Sequence, residues 1–166
     1  QHLDEFAQAF QNMREQRAQS VPTDPAQVEI STLALSQPVW HYGLYKANWL
    51  FAQKPEDADV VGFFALGKIT DEMKPAESQR EDDVGRLTRA IPLYLAEAAH
   101  YWTPFAARCY FQVASGFGPV LNTHETDGNE LFDIVSPNMK YFVTGQLGCE
   151  EEGEQRQWQL ILTLWD

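Results

Sequence analysis

The chain ends with a predicted strand, Tyr141-Phe142-Val143-Thr144-Gly145-Gln146-Leu147, an acidic turn, Glu150-Glu151-Glu152-Gly153-Glu154, and a second predicted strand from Trp158 to Trp165. Both strands are rich in aromatic and branched apolar residues, which favour extended backbone. Because a short polar segment with a glycine joins them, we expect an antiparallel β-hairpin at this end of the chain.

Three earlier segments also have the pattern of strands. Residues 28–35 alternate and contain β-branched side chains, residues 59–66 include a short apolar run typical of a buried strand, and residues 109–113 form a third candidate. Residues 54–57 predict a turn. The segment 40–51 is rich in aromatic residues, and its periodicity does not decide between strand and helix.

A long amphipathic helix is predicted up to residue 102. Asp82 and Asp83 precede it, where carboxylates interact favourably with a helix N-terminus. Pro92 lies inside the helix and predicts a kink or a break near residue 88. The apolar residues of one face follow at intervals of three or four: Val84, Leu87, Ile91, Leu95, Ala98 and Trp102.

Two further helices complete the predicted fold. A short one covers residues 129–135, and an amphipathic one covers residues 4–18 before a proline-containing linker. We therefore expect a helical appendage over residues 1–20 and a single α/β (α+β) domain over residues 28–166. Its sheet is expected to be mixed, with four to five strands, two or three helices and a closing β-hairpin. The apolar face of the first helix is formed by Leu3, Phe6, Phe10 and Met13.

The composition restricts the kinds of partner. The 166 residues include 24 acidic and 12 basic side chains, which give a formal net charge of −12. The lysines are scattered singly, so we expect neither nucleic acid nor a membrane surface as a partner. A neutral or cationic partner is favoured. The compartment is left open, with the cytoplasm favoured over the periplasm.

Two cysteines are too few for a disulfide framework in a chain of this length. Cys109 and Cys149 are interpreted as two buried free thiols, and a single bridge between them is the alternative. No neighbouring residue suggests a lowered pKa for either thiol. The chain also contains no Gly-x-Ser-x-Gly motif, so nothing local predicts a catalytic nucleophile.

One segment has the spacing of a phosphate-binding loop: Gly62-Phe63-Phe64-Ala65-Leu66-Gly67-Lys68-Ile69-Thr70. However, Ile69 stands where a serine or threonine should hold magnesium, and bulky apolar residues occupy the loop. We interpret the segment as a core strand that ends at Gly67, and we predict no cofactor. Gly116-Phe117-Gly118 is interpreted as a simple turn, since the third glycine of a dinucleotide-binding loop is missing.

The loop from His124 to Glu130 gathers several oxygen and nitrogen ligands. The position four residues after His124 is Gly128, so the zinc-protease pattern fails, and the spacing of acids does not fit a calcium loop. We interpret the loop as solvated and predict no bound metal.

One group of residues favours binding: Trp40, His41, Tyr42, Tyr45 and Trp49. Aromatic side chains at this density could form a surface for a sugar, a peptide or a protein partner. The alternative is that they cover the sheet against the first helix.

The end of the chain, Lys140 to Leu147 followed by Trp158 to Asp166, resembles the end of TolB amino-terminal-like domains. In that family an aromatic-valine-threonine-glycine strand and a polar turn precede a strand that ends in Asp. Gly145 corresponds to the family glycine and Asp166 to the terminal acid. The resemblance extends over residues 59–166. It implies a small α/β module without known catalytic residues, used in binding or assembly, often beside repeat domains in a longer bacterial protein.

We therefore expect a non-catalytic binding or assembly module. Its partner is expected to be another protein or a flanking domain of the same chain, and a homodimer through the first helix is a further hypothesis. One alternative is a small hydrolase with an acidic site among Glu125, Asp127 and Glu130. Another is a structural domain that supports a neighbouring repeat region.

Overall fold

The computed structural model of the protein describes residues 29–39, 41, 53–69, 82–115, 118–122, 126–131, 138–152 and 155–166. The strands and helices in these residues are, in chain order, β1 (Ile30–Leu35), β2 (Val60–Phe64), β3 (Gly67–Lys68), α1 (Asp83–Trp102), β4 (Ala106–Ala114), β5 (Gly118–Pro119), α2 (Gly128–Leu131), β6 (Met139–Glu152) and β7 (Gln155–Trp165).

The seven strands form one mixed sheet. Its order is β1-β4-β2-β6-β3, with β5 beside β4 and β7 beside β6. β2 lies between β4 and β6 and is parallel to both, and β3 is parallel to β6 further along. β7 is antiparallel to β6, from Phe142 opposite Trp165 to Glu152 opposite Gln155. The structure therefore confirms the α/β class, the mixed sheet and the closing hairpin.

The number of strands differs from the four to five predicted. β3 and β5 contain two residues each, and two residues are too short to show the alternation that reveals a strand in a sequence. The predicted turn is confirmed, since the amide of Ala58 donates to the carbonyl of Pro55 at 3.1 Å.

The described residues contain one long helix, α1, and a single turn, α2. The helix predicted over residues 4–18 lies outside the described residues, so the total of two or three helices stays a prediction. The division into an appendage over residues 1–20 and a domain over residues 28–166 also stays a prediction.

α1 continues through Pro92 to Trp102, so the predicted break near residue 88 does not occur, and the alternative, a kink, stays a prediction. Proline has no N–H, so in a regular helix the carbonyl four residues earlier, that of Thr88, loses its partner. Here the amide of Leu66 donates to the Thr88 carbonyl at 2.9 Å. Leu66 and Thr88 are each 1% exposed. The freed carbonyl is thus satisfied by the sheet, and the helix stays intact.

The buried line of α1 is shifted by one residue from the predicted apolar face, although Leu95 of that face also packs against the core. The buried positions are Gly85, Thr88, Pro92 and Ala96, a line of small residues that lets the helix lie close to the strands. The predicted face is half-buried, and Trp102 at its end is 86% exposed. Periodicity finds the larger side chains, whereas close packing on a sheet selects the smaller ones.

Asp82 is the N-cap of α1, in agreement with the sequence. One of its carboxylate oxygens accepts from the Gly85 amide at 2.8 Å, and the other accepts from Lys68 Nζ at 2.5 Å. Burial alone would raise the pKa of Asp82, but these hydrogen bonds outweigh it and lower the pKa below the ordinary 3.8. The same carboxylate therefore caps the helix and ties it to β3.

Apolar side chains cover both faces of the sheet. Phe63 of β2 belongs to a cluster that includes Ala96 and Leu93 of α1. The next residue, Phe64, points to the opposite face because side chains alternate along a strand. It belongs to a second cluster with Leu131 of α2.

The second cluster contains an aromatic row that crosses four neighbouring strands. Phe64 stacks on Tyr110 of β4, with ring centroids 4.7 Å apart, and meets Phe142 of β6 edge-on at 5.9 Å. Phe142 in turn stacks on Trp165 of β7 at 5.8 Å and an interplanar angle of 9°. Trp165 Nε1 donates to Thr144 Oγ1 at 2.9 Å. One aromatic residue per strand thus links β4, β2, β6 and β7.

Gly145 has a steric role in the hairpin. A Cβ atom at this position would overlap the backbone carbonyl oxygen of Ile161 on β7. The glycine therefore permits the close approach of β6 and β7.

The chain divides into two compact units. The larger includes both helices and the strands β2, β3, β6 and β7. In the smaller, the described residues are 29–32, 112–115 and 118–120. There β5 pairs antiparallel with the end of β4, and the amide of Ser115 donates to the carbonyl of Glu29 at 2.9 Å.

Candidate interaction surface

The aromatic group predicted to form a binding surface falls mostly outside the described residues, which exclude Trp40, Tyr42, Tyr45 and Trp49. His41 is described: it is half-buried, and its amide donates to the Pro38 carbonyl at 2.9 Å. The aromatic surface therefore stays a prediction.

A small cavity lies between α1, β4 and the residues that follow β1. Its lining includes Glu97, His100 and Cys109, and its volume is about 10 Å³. This is the space of about one water molecule, whereas pockets for small molecules are typically about 300 Å³ or larger. The cavity does not have the size of a substrate site.

Burial shifts the pKa values of two groups that line this cavity, Cys109 and His100. Desolvation raises the pKa of the Cys109 thiol to about 12, so the nucleophilic thiolate is scarcely populated at neutral pH. Desolvation also lowers the pKa of His100, and the positive charges of Lys54 and His41 lower it further, against the opposing effect of Glu97. Both cysteines are free thiols, as the first interpretation of the sequence predicts, but only Cys109 is buried, and Cys149 is half-buried.

The segment with phosphate-loop spacing is part of the sheet. Its buried residues continue from β2 into β3, where Gly67 and Lys68 pair with Gln146 and Leu147 of β6. The Lys68 ammonium contacts the N-cap carboxylate of α1. The Leu66 amide, which a phosphate loop would direct at an anion, donates to the Thr88 carbonyl. The interpretation as a buried core strand is therefore confirmed, but its predicted end is wrong: the strand ends at Phe64, and Gly67 begins the separate strand β3.

The acidic loop is only partly described. Glu125 lies outside the described residues, Asp127 is exposed just before α2, and Glu130 lies in α2. Within the described part of the chain, no group of three or more His, Cys, Asp or Glu side chains could hold a metal ion.

The most distinctive surface of the described residues is on β7. We use the term β7 surface for five large apolar side chains that are between 41% and 66% exposed: Trp158, Leu160, Ile161, Leu162 and Leu164. Every one of the first eight residues of the strand, Gln155 to Leu162, is exposed. Contiguous exposed apolar side chains of this kind mark interaction sites more often than scattered ones do.

The register of the hairpin shows which face of the sheet carries most of this surface. Leu164 lies opposite Val143, and Leu162 and Leu160 lie opposite Gly145 and Leu147. Directly opposed residues of an antiparallel pair share a face. Val143 packs on the cluster that includes Ala96 of α1. The leucines of β7 therefore lie on the face of the sheet that α1 covers, which we call the α1 face. They are two strands away from β2 along the sheet.

The exposure of β7 could not be seen in the sequence. Every residue of one alternating face is apolar (Trp158, Leu160, Leu162 and Leu164), a pattern that predicts a buried face, whereas the other face includes Gln159 and Thr163. Among the described residues, the structure pairs this strand with β6 alone. Local indications of an edge are the polar residues 155–157 at the start of the strand and Gln159 and Thr163 within it, but none of them lies on the face of the leucines between Trp158 and Leu164.

Comparison with known proteins does not assign the chain to a class. No protein-family model matches it, no curated protein is significantly similar in sequence, and no solved structure is significantly similar in fold. The resemblance to TolB amino-terminal-like domains stays a prediction. In the described part of the chain, no helix has the length and apolar character needed to cross a membrane.

Proposed function

We propose that the protein is a non-catalytic binding or assembly module that acts through the β7 surface. The observation that carries this proposal is the exposure of five large apolar side chains on a strand at the end of the sheet. Leaving them in water forgoes a favourable burial of about 25 cal/mol per Å². A protein partner that covers them recovers that free energy.

The chemistry of the strand indicates the kind of partner. From Gln157 to Trp165, β7 carries no charged side chain. A partner strand without charged side chains could pair with this stretch without leaving any charge buried and unpaired. The cores of protein interfaces are typically depleted of charged residues. The resemblance of residues 140–166 to TolB amino-terminal-like domains supports the same class, since those domains are used in binding or assembly.

Site-directed photocrosslinking tests the proposal. A benzophenone amino acid is placed at Leu162 or at Leu164, in cells that contain the full-length protein, and a matched control carries it at Glu56 in an exposed polar turn. We expect a defined covalent product of higher mass from both β7 positions and none from Glu56. The absence of a product at Leu162 and Leu164, or the same products at all three positions, would contradict the proposal.

A further inference from the structure

The outer edge of β7 has the properties of a pairing edge. In the described part of the chain β7 pairs with β6 alone, so its other edge presents backbone N–H and C=O groups. Edge strands are commonly protected by proline, lysine or a bulge. Residues 155–165 contain no proline, glycine or lysine, and the pairing with β6 runs without interruption over the whole strand.

We propose that β7 pairs antiparallel with β7 of a second copy of this chain, about a two-fold axis through Ile161. The inference rests on the proposed function and names the partner of the same surface. The axis is normal to the sheet, so the two sheets join into one and the α1 helices of both copies lie on the same side.

The register is selected by charge. With Ile161 opposite its own counterpart, Arg156 of each copy lies opposite Asp166 of the other. These are the two charged residues between positions 155 and 166. A shift of the centre by one residue to Leu160 would place Arg156 opposite Leu164 instead. A centre at Leu162 would place Asp166 opposite Trp158.

The same register matches the apolar residues. Leu160 lies opposite Leu162, and Trp158 lies opposite Leu164, all on the α1 face. Cross-strand pairs of aromatic and branched residues stabilise a sheet. Every residue of the β7 surface therefore faces an apolar residue of the other copy.

The exposed area of the β7 surface is an upper limit on the apolar area that the pairing can bury. About half of five large side chains amounts to on the order of 500 Å² per copy, to which the backbone edge adds. Stable interfaces begin at about 600 Å² per partner. The net charge of −12 on each copy opposes association, and salt screens that repulsion. We therefore expect the dimer to become stronger as the salt concentration rises.

Sedimentation equilibrium of the purified full-length chain tests the pairing, over concentrations that reach about 100 μM. We expect a reversible dimer, and a monomer throughout the range would refute the inference. Leu162→Lys places two ammonium groups at the centre of the interface and should weaken the dimer at least about 100-fold. The matched control is Tyr94→Lys on α1, where the side chain is 71% exposed. It should leave the dimer unchanged, and equal loss in both variants would refute the β7 interface.

A reciprocal charge reversal tests the register. Arg156→Asp alone or Asp166→Arg alone replaces two attractive pairs with repulsive ones and should weaken the dimer about tenfold. The double variant restores opposite charges and should return to within about threefold of the wild type. Arg156 also lies 3.6 Å from Asp83 of its own chain. That contact is lost equally in Arg156→Asp and in the double variant, so their difference reports the contact between copies. Equal dimer affinity in all three variants would refute the register.

Circular dichroism of each variant establishes that it is folded. The photocrosslinked product from Leu162 then separates the two proposals. A product with twice the mass of the chain supports both. A product with a different protein keeps the proposed function and refutes self-pairing, and the absence of any product at both Leu162 and Leu164 refutes the proposed function itself.

Discussion

The aromatic row across β4, β2, β6 and β7 predicts that two buried phenylalanines, Phe142 and Phe63, contribute unequally to the free energy of unfolding. The same substitution to leucine should therefore destabilise the protein more at Phe142 than at Phe63. Phe142 is 4% exposed and has ring neighbours on both sides, Phe64 at 5.9 Å and Trp165 at 5.8 Å. Phe63 is 8% exposed, lies in β2 on the α1 face, and has no aromatic ring stacked on it within the described part of the chain. Phe142→Leu and Phe63→Leu remove the same atoms from two clusters that differ in their ring contacts.

The expected difference follows from those contacts. The loss of apolar area and the change of shape are common to both variants and cost each about 1.5 kcal/mol or less. An aromatic pair contributes about 0.5–1.5 kcal/mol beyond the area that it buries. Since Phe142 makes two such pairs, Phe142→Leu should lower the free energy of unfolding by about 1–3 kcal/mol more than Phe63→Leu.

Equilibrium unfolding in urea, followed by far-ultraviolet circular dichroism, measures both free energies. Thermal unfolding should show the same order, with a difference of about 2–4 °C for each kcal/mol in a chain of this size. If the two variants unfold with free energies that agree within about 0.5 kcal/mol, the row contributes nothing beyond apolar burial and the reasoning is wrong.

Three further predictions concern single positions. Gly145→Ala should destabilise the hairpin strongly, by about 3 kcal/mol or more, because the added Cβ overlaps the Ile161 carbonyl; urea unfolding measures the loss, and wild-type stability would contradict the close approach. Asp82→Ala should cost about 1 kcal/mol at pH 7. Because the pKa of Asp82 in the folded protein is below 3.8, its carboxylate stabilises the fold above pH 3.8, and this contribution is lost as the pH falls through the folded pKa. The free energies of unfolding of the wild type and of Asp82→Ala, measured during an acid titration, should therefore converge below pH 3.8. A difference between them that stays constant with pH would contradict the prediction. Finally, a thiol reagent at pH 8 should modify Cys149 in the native protein and spare Cys109, whose buried thiol has a pKa of about 12; labelling of both at equal rates would show that the core opens.

Local patterns were sufficient for the longer elements of this fold but not for the two-residue strands β3 and β5. The alternation of residues 28–35, the apolar run at residues 59–66 and the polar turn between β6 and β7 each predict a strand or a hairpin that the structure confirms. Asp82 was also predictable as the start of a helix, since a cap interacts with residues a few positions away. In each case the interactions that decide the structure lie within a short stretch of chain.

The course of α1 was not predictable in the same way. Pro92 predicts a break because it withdraws a donor from Thr88. Whether a helix survives this loss depends on a donor from elsewhere, and here the donor is the amide of Leu66, 22 residues earlier in the chain. The small residues on the packed face of the helix likewise matter only once the sheet lies beneath them.

The sequence by itself determined the class of fold and the closing hairpin. It also showed, through Ile69 in place of a serine or threonine, that residues 62–70 depart from the pattern of a phosphate-binding loop. These features depend on residue type and on the spacing of near neighbours. Only the tertiary structure decided the order of the strands, and with it the exposure of the leucines of β7. Whether an apolar strand is buried or left at an edge depends on which strands pair beside it, and that choice is made by contacts between residues far apart in the chain.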